Sequence, residues 1–321
     1  MIKLIRNTIL IGLLTVVVVA SMDAQSRYFD ERYIYSQYYL YPTLINPGAI
    51  GAEDYQEVMV NYRNTWSTFD GAPKTFTVGY NGQLGNKLGF GAQVMSDSYG
   101  SLKTNKGQIG FSYTIETPIN KIGLGLTGEY IQHSLDGSGL NSPEVNSQDA
   151  LIIERLSGVQ FFDASFGIYG LYDGKLSYGL TFPSLISSEI SDTESNADKV
   201  YGYIFQLGYH LKSESTGITF YPNVAVKSLM NTPTHIDINA KFGFLEDKLF
   251  SGVSYTLGGD ERYGFLIGTT IESLSLAYSY NLSNAEFQTY NNGSHELSAS
   301  LRFGNKSNES QEAKMMIKEA E

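Results

Sequence analysis

From Tyr55 to Phe303 the chain alternates apolar and polar side chains with period two, in runs of about ten residues. Phe76, Val78 and Tyr80 interleave with Thr77, Gly79 and Asn81. Ile109, Phe111, Tyr113 and Ile115 interleave with Gly110, Ser112, Thr114 and Glu116, and Tyr201 to Leu211 supplies six apolar positions on one face opposite Gln206 and His210. Ile236 to Phe242 and Leu274 to Leu282 repeat the pattern. Successive side chains of a strand point to opposite faces, so each run has an apolar face and a face of Gly, Ser, Thr, Asn and charge. Strands of soluble sandwiches are usually about five or six residues long, whereas a tilted strand crossing a membrane needs roughly ten. Beyond the N-terminus no stretch approaches the length of an apolar spanning helix, so insertion into a bilayer must use strands.

One segment tests this reading. GLGLTGEY, Gly123 to Tyr130, holds a G-x-G-x-x-G at Gly123, Gly125 and Gly128. That spacing binds a dinucleotide only where a strand ends and a helix begins. Here a turn, Thr117 to Asn120, precedes the glycines, and no helical period follows them. In period two, Ile122, Leu124, Leu126 and Tyr130 share one face, and Gly123, Gly125, Thr127 and Glu129 share the other. The segment reads as one more strand.

Composition removes several function classes. The net charge of −11, with no Lys/Arg run, argues against nucleic acid as a partner. The absence of Cys excludes disulfide and zinc-thiolate scaffolds, and His133, His210, His235 and His295 fall in no metal-binding frame. No cofactor is expected. Lys3 and Arg6 ahead of the apolar run Ile9 to Ala20, with Ser21 and Ala24 beyond it, read as a secretory signal peptide over residues 1–24 with no lipid anchor.

Fourteen strands are expected, beginning near Tyr55, Pro73, Lys87, Lys103, Lys121, Val159, Lys175, Val200, Gly217, Pro233, Lys248, Arg262, Ser273 and His295. An even number suits a closed, all-β outer-membrane barrel of antiparallel strands, with its outward faces against membrane lipid and both termini in the periplasm. The links LGN, PIN, YDG, SES, LED and ES are tight, while Ser67 to Ala72, Asp136 to Gly158, Ser184 to Lys199 and Asn284 to Ser294 are long, so short periplasmic turns are expected to alternate with longer outer loops. NKLGFG, NKIGLG, GKLSYG and DKLFSG recur at strand bases, where each Lys is placed to reach the headgroups. The same register points Glu57, Arg63, Glu116, Glu129, Asp163, Lys227, Asp237, Lys241, Glu296 and Arg302 into the lumen. They read as a paired or solvated polar lining rather than as a catalytic constellation.

Two segments carry more than this pattern requires: the Tyr-rich leader YFDERYIYSQYYLYPTLINPGAIG, Tyr28 to Gly51, and YRNTWSTFDGAPKT, Tyr62 to Thr75. In them the chain resembles the PorP/SprF family of outer-membrane proteins. Gln37, Tyr38, Pro42, Asn46, Pro47 and Gly51 match the family's leader pattern. Arg63 and Trp66, then Gly71, Ala72, Pro73, Lys74 and Thr75, match its R-x-x-W and G-A-P-K-T. The chain departs from the pattern in NPGAIG and in the eighteen residues that follow Phe303.

The resemblance implies a non-enzymatic scaffold of the type IX secretion and gliding machinery. Its implied partners are a large secreted surface adhesin and periplasmic components of the machine, and its implied structural or partner-binding positions are Asn46, Pro47, Gly51, Arg63, Trp66, Gly71, Pro73 and Lys74. The alternative is a passive pore, with a barrel hydrolase a remote third. The expected organisation is a signal peptide (1–24), a periplasmic leader or plug (25–54), a barrel (55–303) and a free tail (304–321). Fourteen strands enclose more space than wall side chains can fill, which happens at roughly eight. The leader is therefore expected to fold into or across the periplasmic mouth, with Asn46, Pro47 and Gly51 shaping its turn into the first strand.

Overall fold

The computed structural model describes residues 35–136, 158–186, 188–189, 201–229, 232–259, 261–284 and 286–304. The signal peptide, the first part of the leader, the long loops at 137–157 and 190–200 and nearly all of the tail lie outside the described residues. Within them the alternating runs form fourteen long strands: β1 (Gln56–Asn64), β2 (Lys74–Leu84), β3 (Leu88–Tyr99), β4 (Leu102–Thr117), β5 (Asn120–Leu135), β6 (Val159–Tyr172) and β7 (Leu176–Phe182), followed by β8 (Tyr203–Tyr209), β9 (Thr219–Ser228), β10 (His235–Phe244), β11 (Leu249–Leu257), β12 (Arg262–Ile271), β13 (Leu274–Ser283) and β14 (Ser294–Phe303). Two-residue pieces extend the sheet, Ser188–Glu189 beside β6 and Leu211–Lys212 beside β9. Every strand begins within three residues of its expected start.

Each strand pairs antiparallel with its neighbours in the chain, and β14 pairs with β1 over nine rungs, so the sheet closes into a barrel. The two faces differ as the alternation requires. On β5, Leu126 is 57% exposed while Thr127 and Glu129 are buried, and Phe111, Phe205, Ile238 and Leu276 all project outward. An exposed apolar belt around a ring of buried polar residues is the arrangement a bilayer stabilises, because lipid covers the belt and closure leaves no unpaired sheet edge.

Wall height is uneven. β4 and β5 have sixteen residues each, β7 and β8 seven. At roughly 3.3 Å per residue, the tall strands run some 50 Å along their axes and the short ones about half that. Five of the six links at one end are short (85–87, 118–119, 173–175, 245–248 and 272–273); the sixth, where SES is expected as a tight link, spans 210–218 and carries the Leu211–Lys212 piece, and most links at the other end are longer. The alternation is not strict, however. At the long-loop end β3 and β4 are joined by Gly100 and Ser101 alone. The loop between β1 and β2 leans over that turn, with Gly100 N donating to Gly71 O at 2.7 Å.

Two other expectations shift. Glu116 lies at the exposed rim, 3.5 Å from Lys121, rather than within the lumen. Lys121 turns to the mouth instead of the headgroups, because Asp54 at the end of the leader reaches its ammonium at 3.0 Å.

The turn between β10 and β11 has an unusual backbone. Leu245, Glu246 and Asp247 all have positive φ, a conformation that costs L-residues roughly 1–2 kcal/mol each. Asp247 holds the turn against the adjoining hairpin by accepting from the Thr219 hydroxyl and, at 2.8 Å, from Tyr221 Oη.

Candidate functional site

Residues 35–51 run inside the barrel from its long-loop half to its short-turn end and then turn into β1. Tyr35, Gln37, Tyr38, Tyr41, Leu44, Ile45, Asn46, Ala49 and Ile50 are all almost fully buried. The leader therefore fills the lumen well beyond the mouth.

Two prolines shape the lower part. Pro42–Leu44 and Pro47–Ala49 are single 3-10 turns with Pro at the first position, where its fixed φ fits and its missing N–H costs nothing. Asn46 caps the second turn by accepting from Gly48 N at 2.8 Å, and its amide nitrogen donates to Ile168 O on β6 at 3.0 Å.

Glycines of the wall form the floor beneath this turn. A Cβ on Gly123 would collide with Gly48 O, one on Gly125 with Pro47 O, and one on Gly167 with the Asn46 carbonyl oxygen. Gly89, Gly91 and Gly110 give Ile50 the same close approach. The first two glycines of the G-x-G-x-x-G thus do admit a backbone, the protein's own. Gly128, the third, faces outward with nothing within 4 Å. Gly51 takes a positive φ of 66°, its N–H donates to Asn81 Oδ1 at 2.7 Å, and the chain turns toward β1.

The upper part is held by side chains. Glu296 on β14 is the hub: its carboxylate accepts from Ser36 N at 2.9 Å, Gln37 N at 3.4 Å, Asn61 Nδ2 at 2.9 Å and Arg63 at 2.9 Å. Arg63 and Glu296 are both completely buried, and the same guanidinium nitrogen donates to Ser36 Oγ at 2.6 Å. Gln37 adds bonds to Ser279 Oγ and Glu296 O, and Tyr35 Oη lies 2.8 Å from Thr77 Oγ1. Opposite, Lys227 is 2.9 Å from Asp237 and lies over the Tyr38 ring, 4.1 Å from its centroid. Tyr38 Oη accepts from Asn239 at 2.8 Å and donates to Asn223 at 3.2 Å.

The eight motif residues do not meet in one site. Asn46, Pro47 and Gly51 lie at the short-turn end of the inner segment. Arg63 grips its start. Trp66, Gly71, Pro73 and Lys74 belong to the loop between β1 and β2 and the first residue of β2. There Thr65 N donates to Pro73 O at 2.9 Å, the Trp66 ring stands edge-on to Tyr99, and Lys74 is exposed.

The sequence reading did not single out Lys106, which is buried 3.9 Å from Glu129, although it shares a strand face with the inward Gly110, Ser112 and Thr114. It also missed the hub role of Glu296, for which a single sequence offers no signal beyond an inward carboxylate. Among the described residues no group of three or more His, Asp or Glu is placed to hold a metal.

Small cavities remain between the inner segment and the wall. One of about 20 Å³ is lined by Thr43, Ile50, Glu57 and Met59, among others, and one of about 10 Å³ lies beside Tyr38 and Asp237. Each is on the scale of a single water.

Residues 29–301 match the family described as type IX secretion system membrane protein PorP/SprF. No curated protein matches the chain. Solved structures with a similar course include the outer-membrane protein Omp33 of Acinetobacter baumannii, at 10% identity and a TM-score of 0.47 over 79% of this chain and 100% of that one. A Pseudomonas aeruginosa FadL homologue is also similar, at 10% identity and a TM-score of 0.46 over 81% of this chain and 93% of that one.

Proposed function

This chain belongs to the PorP/SprF family of type IX secretion membrane proteins, and from that membership and the filled lumen we propose that it is a non-enzymatic scaffold with a closed barrel. In this reading it supports the secretion or cell-surface attachment of a large adhesin, as part of the secretion and gliding machinery. The short-turn end, where β14 finishes, faces the periplasm and the ring components of the machine, and the longer loops face outward. The residues before Tyr35, on which the expected periplasmic N-terminus depends, lie outside the described residues.

The observation that carries the proposal is the occupation of the lumen by residues 35–51. A passive pore needs a continuous aqueous path, and a buried core of Tyr35, Tyr38, Tyr41, Leu44 and Ile45 interrupts it. The inward carboxylates also favour a structural role. Glu296 is paired with Arg63, Asp237 with Lys227 and Glu57 with Arg302, in pairs that fix the wall or the inner segment.

Single-channel recording tests the reading. The intact protein is expected to be nearly silent, and deletion of Tyr28 to Gly48 is expected to open a steady conductance. A large conductance from the intact chain would favour the pore. Separately, disruption in the native cell is expected to remove the adhesin from the surface without changing small-solute uptake.

A further inference from the structure

Thirteen of the fourteen strand pairings join consecutive strands, whose register the connecting turn helps to fix. The pairing of β1 with β14 closes the ring and has no such turn, because its partners stand at opposite ends of the sequence. Its charges are arranged differently from those of every other pairing. Glu57 lies directly across from Arg302 and Arg63 directly across from Glu296, and both pairs are joined inside the lumen, at 3.0 and 2.9 Å. Among the described strands the only other directly opposed acid and base are Glu116 and Lys121, which sit beside the tight turn between β4 and β5. On β5 and β6 the opposed inward residues Glu129 and Asp163 are even of like sign.

We propose that these two ion pairs, one near each end of the seam and of opposite polarity, set the register in which the barrel closes. The inside-outside alternation already forbids a slip of one residue, since it would turn the apolar face inward. A slip of two keeps the faces and is the real competitor. In one direction it sets Glu57 opposite Ser300 and Arg63 opposite Ser294. In the other it sets Arg302 opposite Met59 and Glu296 opposite Thr65. Either way four charges lose their partners, and for Arg63, Glu296 and Glu57, which are buried, an uncompensated charge is strongly unfavourable, while Arg302 at the mouth is a third exposed. The polarity adds a second check, because β1 reads acid then base and β14 answers in reverse. The inner segment reports on the result: Glu296 also receives the amides of Ser36 and Gln37, so the hub is complete only when Arg63 stands across from it.

The chain has no native cysteine, so engineered pairs read the register cleanly. In the full-length protein in outer-membrane vesicles, Val60→Cys with Ala299→Cys, opposed on the lipid face, is expected to cross-link. Val60→Cys with Leu297→Cys or Leu301→Cys, which report slips of two, should not. Adding Glu57→Arg, which leaves the hub around Glu296 untouched, is expected to cut the native cross-link at least fivefold and bring up a slipped one. Adding Arg302→Glu as well should restore the native product to within twofold. The proposal is overturned if Glu57→Arg alone keeps the native cross-link within twofold, or if the native cross-link is lost and the double reversal does not recover it.

Discussion

The two ends of the inner segment are held by different physics. At residues 46–51 the chain lies on a floor of glycine, where Gly89, Gly123 and Gly125 meet backbone, Gly91 and Gly110 meet the Ile50 side chain, and one asparagine acts as a bracket. At residues 35–38 it hangs from side chains: a buried carboxylate, a guanidinium, phenols and amides. The lower contact is steric and insensitive to charge, so it is lost only if the floor rises. The upper contact is polar and depends on complete pairing in a lumen that screens poorly.

The largest effect that can separate the two ends is expected from Arg63→Met, which leaves Glu296 buried without its cation. It should destabilise the folded barrel by about 3–5 kcal/mol in a lipid unfolding titration. Arg63→Met with Glu296→Met should recover only part of this, because the amides of Ser36 and Gln37 then lose their acceptor. Full recovery would show that the hub holds only the wall.

A smaller but more specific change is expected at the floor. Gly125→Val should cost roughly 1–3 kcal/mol and unseat the lower turn, because the obstructing Pro47 O is backbone and cannot swing aside. Channel recording on this variant should show intermittent openings absent from Gly128→Val, whose added side chain meets open space on the outer face. Equal behaviour of the two variants would refute the floor. The smallest effect belongs to Tyr38→Phe, which removes two hydrogen bonds but keeps the ring under Lys227. About 1 kcal/mol is expected by the same titration, with conductance unchanged.

The same comparison shows where the strand pattern stops being informative. From alternation alone, inward Gly125 would tolerate Arg better than outward Leu124, because a lumen accepts charge and lipid does not. The structure removes that tolerance at Gly125, where any side chain would meet Pro47 O. Period two says which way a side chain points. It does not say what occupies the space it points into.

What the sequence determined by itself is the barrel: the fourteen strands, their inward and outward faces and nearly all the lumen charges. A strand's alternation is a local property, written residue by residue along the chain. The motif in the leader likewise marked Asn46, Pro47 and Gly51 as shaping a turn. Only the tertiary structure decided how far the leader enters, why glycines line β3 to β6 beneath it, and that Arg63, Asn61, Ser36 and Gln37 converge on Glu296. The bonds to Glu296 join residues more than two hundred positions apart and exist only once the ring has closed and brought β1 beside β14, while the glycine floor meets the leader only when β3 to β6 curve around it.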